Sequence, residues 1–157
     1  MQPTVLILGY GRVGRTAAEI CRSAGISFGV IELDIDRVRL AQREGAQAQY
    51  GDGADPSVVE RALSPSTQVI LTSIPDTAAN AALARRFAPR PNVRIIARAS
   101  RVRDIRTLLQ AGAVRALVPE AEGALGFAEA VLAQLGVEAP RILSLIEKQR
   151  DVITNQR

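Results

Sequence analysis

Thr4-Val5-Leu6-Ile7-Leu8-Gly9-Tyr10-Gly11-Arg12-Val13-Gly14 is the stretch that decides the fold. Its first five residues form a short apolar run rich in β-branched side chains, the pattern of a fully buried strand. Three glycines at a G-x-G-x-x-G spacing follow. Beyond them Arg12 to Ala24 reads as a helix, with Val13, Ala17, Ile20 and Cys21 expected on its inner face. Gly9 permits a tight turn, Gly11 lets a ligand approach the backbone, and Gly14 allows the helix to pack closely on the strand. The motif is weak alone, but here it sits between a strand and a helix, the context it requires.

The same alternation continues to the end of the chain. Strands are expected at Ser27–Ile31, Ala48–Tyr50, Gln68–Thr72, Val93–Ala97 and Val114–Val118. Helices are expected at Asp36–Glu44, Pro56–Leu63, from the Asp76 cap to Phe87, at Val102–Ala111, and at Glu120–Leu135. Pro56 suits a helix start because its missing N–H has no partner to lose there. Repeated βα units with apolar strands predict a six-stranded parallel sheet covered on both faces, a doubly wound α/β fold of Rossmann type. Residues 1–137 form this domain. Residues 138–157 add a C-terminal amphipathic helix, with Ile142, Leu145, Ile146, Gln149 and Ile153 on one face. That face must pack on its own domain or on another subunit, and we expect the second.

A glycine turn at the start of a helix offers free N–H groups and a positive dipole end to phosphate. Glu32 ends the second strand, 18 residues beyond Gly14, where a carboxylate meets the ribose hydroxyls of an adenosine. An acid there repels a 2′-phosphate, which favours NAD or an adenosine phosphate over NADP. Asp34 and Asp36 are alternatives, with Asp36 expected to cap the following helix.

From Asp52 onward the sequence resembles a particular family. Tyr50-Gly51-Asp52-Gly53-Ala54-Asp55-Pro56 is similar to the Y-G-D-A-T-x-P segment of the RCK (regulator of potassium conductance), or TrkA-N, domains. Leu71-Thr72-Ser73-Ile74-Pro75-Asp76, Ile95-Ile96-Ala97-Arg98-Ala99, Leu109-Gln110-Ala111-Gly112-Ala113 and Val118-Pro119-Glu120 continue the likeness in order. Within the family, Gly136 and the short tail look most like the C-terminal cytoplasmic domain of Kef-type cation:proton antiporters. The resemblance implies that Asp52 reads the adenine edge, with Gly53 beside it. It also implies that Thr72, Ser73 and Ile74 line the ribose and phosphate cleft, and that Arg98 faces phosphate. Together with Gly9, Tyr10, Gly11, Arg12, Val13, Gly14, Glu32 and Leu33, these form the expected site. Two positions depart from the pattern: Ala54 stands for the usual threonine, and Asp104 for a common histidine. A counterpart of the family's second, C-terminal domain is not expected within these 157 residues.

Composition narrows the chemistry. The 157 residues contain no histidine, a single cysteine (Cys21) and a single lysine (Lys148). General-base, Schiff-base and zinc chemistry are correspondingly poorly equipped, and Cys21 is expected to be packed and inert. No apolar run approaches the ~20 residues of a membrane span, and no signal peptide is visible. Nine arginines lie between Thr77 and Pro119 against one acid, Asp104. Three Phe, two Tyr and no Trp leave few stacking platforms, so nucleic acid is not the expected partner.

The expected function is regulatory. An adenine nucleotide (NAD or NADH, with AMP or ATP as alternatives) binds a homodimer, which in turn gates a potassium or monovalent-cation transporter. The transporter is an integral membrane protein, fused or associated, and this domain lies at the cytoplasmic face of the membrane. A truncated or excised domain is the expected origin of so short a chain. The competing reading is a small NAD-dependent oxidoreductase, which would need a substrate site and a proton donor. Tyr10 and Lys148 do not form the Tyr-x-x-x-Lys pair of short-chain dehydrogenases.

Overall fold

The computed structural model describes residues 2–155; Gln156 and Arg157, part of the expected tail, lie outside the described residues. Six parallel strands form one sheet: β1 (Val5–Leu8), β2 (Phe28–Glu32), β3 (Gln47–Tyr50), β4 (Val69–Thr72), β5 (Arg94–Arg98) and β6 (Arg115–Leu117). Their order is β3-β2-β1-β4-β5-β6, the doubly wound arrangement the alternation predicts. The order reverses direction between β1 and β4, and open sheets of this kind take ligands at that point. The helices are α1 (Arg12–Ser23), α2 (Ile35–Arg43), α3 (Pro56–Ala62), α4 (Thr77–Phe87), α5 (Ile105–Gln110), α6 (Pro119–Gln134) and α7 (Ala139–Thr154). The expected helix at 102–111 begins as a 3-10 turn over Val102–Asp104 before α5 takes over.

Strand alternation sends side chains to two cores. Leu6, Leu8, Ile31, Ile70 and Ile95 join Val59, Leu83, Phe87 and Leu108 beneath α3, α4 and α5. Ile7, Phe28 and Val30 join Ala18 and Ala41 beneath α1 and α2. Burial of these side chains is worth about 1.5–3 kcal/mol for each large one, and it fixes the register, because a one-residue slip would exchange the two faces.

Three expectations need correction. On α1 the buried residues are Gly14 and Ala18, while Ile20 is 65% exposed; the small residues face the sheet because α1 lies close to it. Asp34, and not Asp36, caps α2, accepting hydrogen bonds from the N–H groups of Asp36 and Arg37 at 2.9 and 3.3 Å. The sheet is not covered evenly either. Leu71, Ile96 and Leu117, on the α1 face of β4, β5 and β6, remain only partly buried. Together with Val13, Ala17 and Ile20 they line an apolar groove of about 650 Å³.

The groove stays open because α6 starts at its rim, with Pro119 and Glu122, and then packs against α7. The tail therefore packs on α6 of its own chain through part of its apolar face, one of the two placements that an amphipathic helix of this kind allows. Leu125, Ile142 and Ile146 form a small core between the two helices. Arg150 reinforces it from α7, donating to both oxygens of Glu122 at 3.1 and 3.2 Å. Leu145 and Gln149, assigned to the inner face by periodicity, are exposed.

Candidate functional site

The glycine loop is built by mutual constraint. Gly9 adopts φ +95°, a conformation that only glycine takes freely. A Cβ on Gly14 would lie 2.0 Å from the Gly9 carbonyl oxygen, so α1 can seat against the loop only without a side chain there. Ser73, just beyond β4, ties down the other side, its hydroxyl donating to the Leu8 and Gly9 carbonyls at 2.9 and 3.1 Å. Gly11 is different: its surroundings are open, and the nearest atom to a Cβ there is Arg37 Nη1 at 3.9 Å. Gly11 is the N-cap residue of α1 and offers no side-chain cap, and the first turn of α1 carries no acid. The first turn of α1 therefore has neither a side-chain cap nor an acid to offset the positive end of the helix dipole.

Glu32 stands at the tip of β2, 7% exposed. One carboxylate oxygen accepts from Tyr10 N–H at 2.5 Å and the other from Asp34 N–H at 2.8 Å. Each oxygen keeps a further lone pair for an incoming hydroxyl. The two N–H donors fix the carboxylate in a defined orientation before any ligand arrives.

Gly9, Gly11, Arg12, Glu32, Leu33, Asp52, Gly53, Ser73, Ile74 and Arg98 line one cleft of about 390 Å³, within the size range of small-ligand sites. A second compartment of about 270 Å³ adjoins it and shares Gly11, Arg12, Ser73 and Arg98, with Pro119 and Glu120 on its far wall. Arg98 Nε is buried with no hydrogen-bond partner, a donor left over at the edge of the site. Asp52 accepts from Ala54 N–H at 2.8 Å through Oδ1, which shapes its own turn. A turn role and a ligand role are compatible, because a carboxylate has two oxygens.

Four of the expected residues do not line the main cleft. Tyr10 is 2% exposed and its hydroxyl turns toward Glu44 on the far side, donating at 2.7 Å. Only its backbone serves the site, through Glu32. Thr72 is fully buried within β4, Oγ1 without a partner. Val13 faces the apolar groove and the smaller compartment. Gly14 is used up in packing against Gly9. Tyr10 and Gly14 serve the loop through backbone and packing, and a motif pattern cannot separate such positions from contact positions because spacing alone does not encode side-chain direction.

Two further residues bear on the site and were not anticipated. Asn80 on α4 is fully buried, and its amide donates to the carbonyls of Ile74 and Arg98, each at 2.8 Å. It clamps the ends of β4 and β5 where they form the cleft wall. A lone amide within Ala78-Ala79-Asn80-Ala81-Ala82 was the available signal. Arg37, in the first turn of α2, also lines the cleft. Asp104, where the family commonly has histidine, accepts from Thr77 Oγ1 at 3.2 Å and links the 3-10 turn to α4.

Burial is the largest cause raising the Tyr10 phenol above 10.0, followed by its bond to Glu44. That same bond holds Glu44 below 4.5, aided by Arg15. Burial pushes the Cys21 thiol up, in keeping with an inert packed side chain. Among the described residues no group of three or more metal-ligating side chains occurs.

A parallel sheet with this strand order, a glycine loop opening a helix and an acid at the β2 tip together define a Rossmann-type nucleotide-binding domain. The chain belongs to the TrkA-N domain family, whose model matches residues 5–119. It is 34% identical over 137 residues to the glutathione-regulated potassium-efflux system protein KefC of Cronobacter sakazakii, covering 87% of this chain and 22% of that protein. The chain thus spans less than a quarter of the length of such curated relatives. Among solved structures, the TrkA-N domain of the inner membrane protein ybaL from Escherichia coli superposes with a TM-score of 0.73 at 26% identity, covering 83% of this chain and 97% of that one. The Shewanella denitrificans Kef CTD in AMP-bound form gives a TM-score of 0.71 at 20% identity, covering 94% and 92%. Among the described residues no helix is long and apolar enough to cross a membrane.

Proposed function

We propose that this domain binds an adenine nucleotide and uses it to regulate a potassium or monovalent-cation transporter of Kef type, without catalysing a reaction itself. One observation carries the reading: a single cleft brings together an uncapped helix N-terminus, a preoriented Glu32, Asp52 and an underpartnered Arg98. Each part of an adenosine phosphate then has a counterpart. Phosphate meets the N–H groups at the start of α1 and Arg98; ribose hydroxyls donate to Glu32; Leu33, Gly53 and Ile74 bound the base, whose edge faces Asp52. NAD or NADH would extend into the second compartment, whereas AMP would leave it open, with ATP a further candidate. The AMP-bound state of a Kef CTD of the same fold supports the class of ligand, and likeness to KefC supports the class of transporter.

Regulation needs a second conformation or a partner that senses occupancy. The homodimer is our choice of partner. α6 and the Leu135 that follows it expose Phe127 (80%), Val131 and Leu135 at four-residue spacing, an apolar stripe of the kind that marks interaction surfaces. The open groove over β4–β6 is its apolar complement and shares Arg12 and Arg98 with the nucleotide cleft. An interface there would report directly on bound phosphate. The domain would lie on the cytoplasmic side of the membrane, attached to the transporter it controls. The oxidoreductase alternative is the weaker reading, because the described lining of the two compartments offers arginines, three acids and a serine already bonded to backbone, with no histidine or tyrosine hydroxyl.

The test is a thermal-shift titration with NAD, NADH, NADP, AMP and ATP, repeated on Asp52→Ala. Saturable stabilisation of the parent protein by nucleotides with a free 2′-hydroxyl, lost in the variant, is expected. A folded, ligand-free protein that none of the five stabilises would overturn the reading.

A further inference from the structure

Three arginines, Arg12, Arg37 and Arg98, line the cleft at the positive end of α1, against two acids, Glu32 and Asp52. Arg12 opens the helix, and Arg37 comes from the neighbouring α2, its Nη1 3.9 Å from the space above Gly11. Arg37 is itself the third residue of α2, near the positive end of that helix's dipole, where cations are disfavoured. Its acidic neighbour is Asp34, whose Oδ2 lies 3.7 Å from Nε, too far for a hydrogen bond and with both side chains about half exposed. Glu32, the acid of the cleft on this side, already holds two backbone N–H groups. The guanidinium groups of Arg12 and Arg37 therefore share one space with the uncapped N-terminus of α1, whereas the N-terminus of α2 is already met by Asp34 and Asp36.

We infer that Arg37 is a phosphate-binding residue that reaches across from α2 and closes on the ligand's phosphate opposite Arg12, making the cleft select for the phosphate and not merely the nucleoside. The inference rests on the nucleotide reading of the site and assigns a role within it. The geometry suits it in three ways. The Nη atoms are the ones nearest the glycine loop, while Nε, on the Asp34 side, orients the group. Gly11 carries no side chain to block the approach. The backbone of Arg37 is pinned by its N–H bond to Asp34 at 3.3 Å, so the side chain swings from a fixed base.

The experiment is calorimetric titration of the purified protein with adenosine and with AMP, comparing wild type, Arg37→Gln and Arg39→Gln. Arg39 lies on the same helix, is 66% exposed and does not line the cleft. Arg37→Gln is expected to weaken AMP by about tenfold, as for loss of a charged hydrogen bond, and to leave adenosine unchanged. The preference of wild type for AMP over adenosine should also shrink as salt is raised, while Arg39→Gln behaves as wild type. AMP binding to Arg37→Gln within about twofold of wild type would overturn the inference, and so would an equal loss for AMP and adenosine, which would mark a role in cleft shape. Failure of wild type to bind either compound would instead overturn the nucleotide reading beneath it.

Discussion

Replacing Gly14 and Gly11 separately by alanine should have opposite consequences, although the two belong to one motif. At Gly14 the new methyl would meet the Gly9 carbonyl oxygen at 2.0 Å and Ser73 Oγ at 3.1 Å. An ordinary C···O contact is roughly 3.3 Å, so the first turn of α1 must retreat by more than an ångström. The nearer atom is backbone, held by the Ser73 hydroxyl, and cannot swing aside as a side chain would. Overpacking of this kind costs about 1–3 kcal/mol or more, against about 1 kcal/mol gained from alanine's helix propensity. We expect a net loss of up to about 2 kcal/mol, a fall in Tm of roughly 4–8 °C for a domain of this size. At Gly11 the methyl meets nothing closer than a flexible arginine tip at 3.9 Å. Its φ of −76° suits any residue, so stability should change by less than about 0.5 kcal/mol as the cap loss and the stiffer unfolded chain offset each other. The methyl would nevertheless occupy the place where phosphate must approach. Urea unfolding followed by circular dichroism, with AMP titration alongside, separates the two effects. A Gly14→Ala protein as stable as wild type would refute the packing argument. A stable Gly11→Ala protein binding AMP with undiminished affinity would refute the use of this loop for phosphate.

Asn80→Ala should remove the clamp between β4 and β5, orphaning the Ile74 and Arg98 carbonyls; about 2 kcal/mol of stability is expected to go, with weaker nucleotide binding, and wild-type values for both would exclude the clamp. The Tyr10–Glu44 bond predicts a pH signature. Glu44 is lowered, so its contribution is present above 4.5 and lost as the pH falls through its folded value; Tyr10 is raised, so its contribution is present below 10.0 and lost as the pH climbs beyond. Tyr10→Phe should therefore flatten the stability profile at both extremes, as read by denaturant midpoints from pH 3 to 11, and an unchanged profile would count against the bond. Phe127→Asp combined with Leu135→Asp should leave the unfolding midpoint of the monomer intact and abolish self-association in sedimentation velocity; a wild type monomeric at every concentration would dispose of the groove-and-stripe interface.

The doubly wound parallel sheet was legible in the sequence because parallel βα units carry two local signals at once: short apolar runs for the strands, and glycine, proline or aspartate at the joints. The cleft was legible for a related reason. Gly9, Gly11 and Glu32 act through backbone freedom or position at a strand end, and both are set by local spacing. What the chain order could not supply was side-chain direction and the distance between remote segments. Tyr10 and Thr72 were expected in the cleft but turn into the core. Ile20 was expected in the core but lies exposed. Asn80 and Arg37 reach the site from helices that a motif centred on the loop does not include. The fate of α7 was likewise a tertiary matter: an amphipathic face states that burial is needed, and only the packing of Ile142 and Ile146 on Leu125 decided which surface provides it. Periodicity is a property of one element, whereas contact is a property of two, and the second is decided only when the sheet brings the elements together.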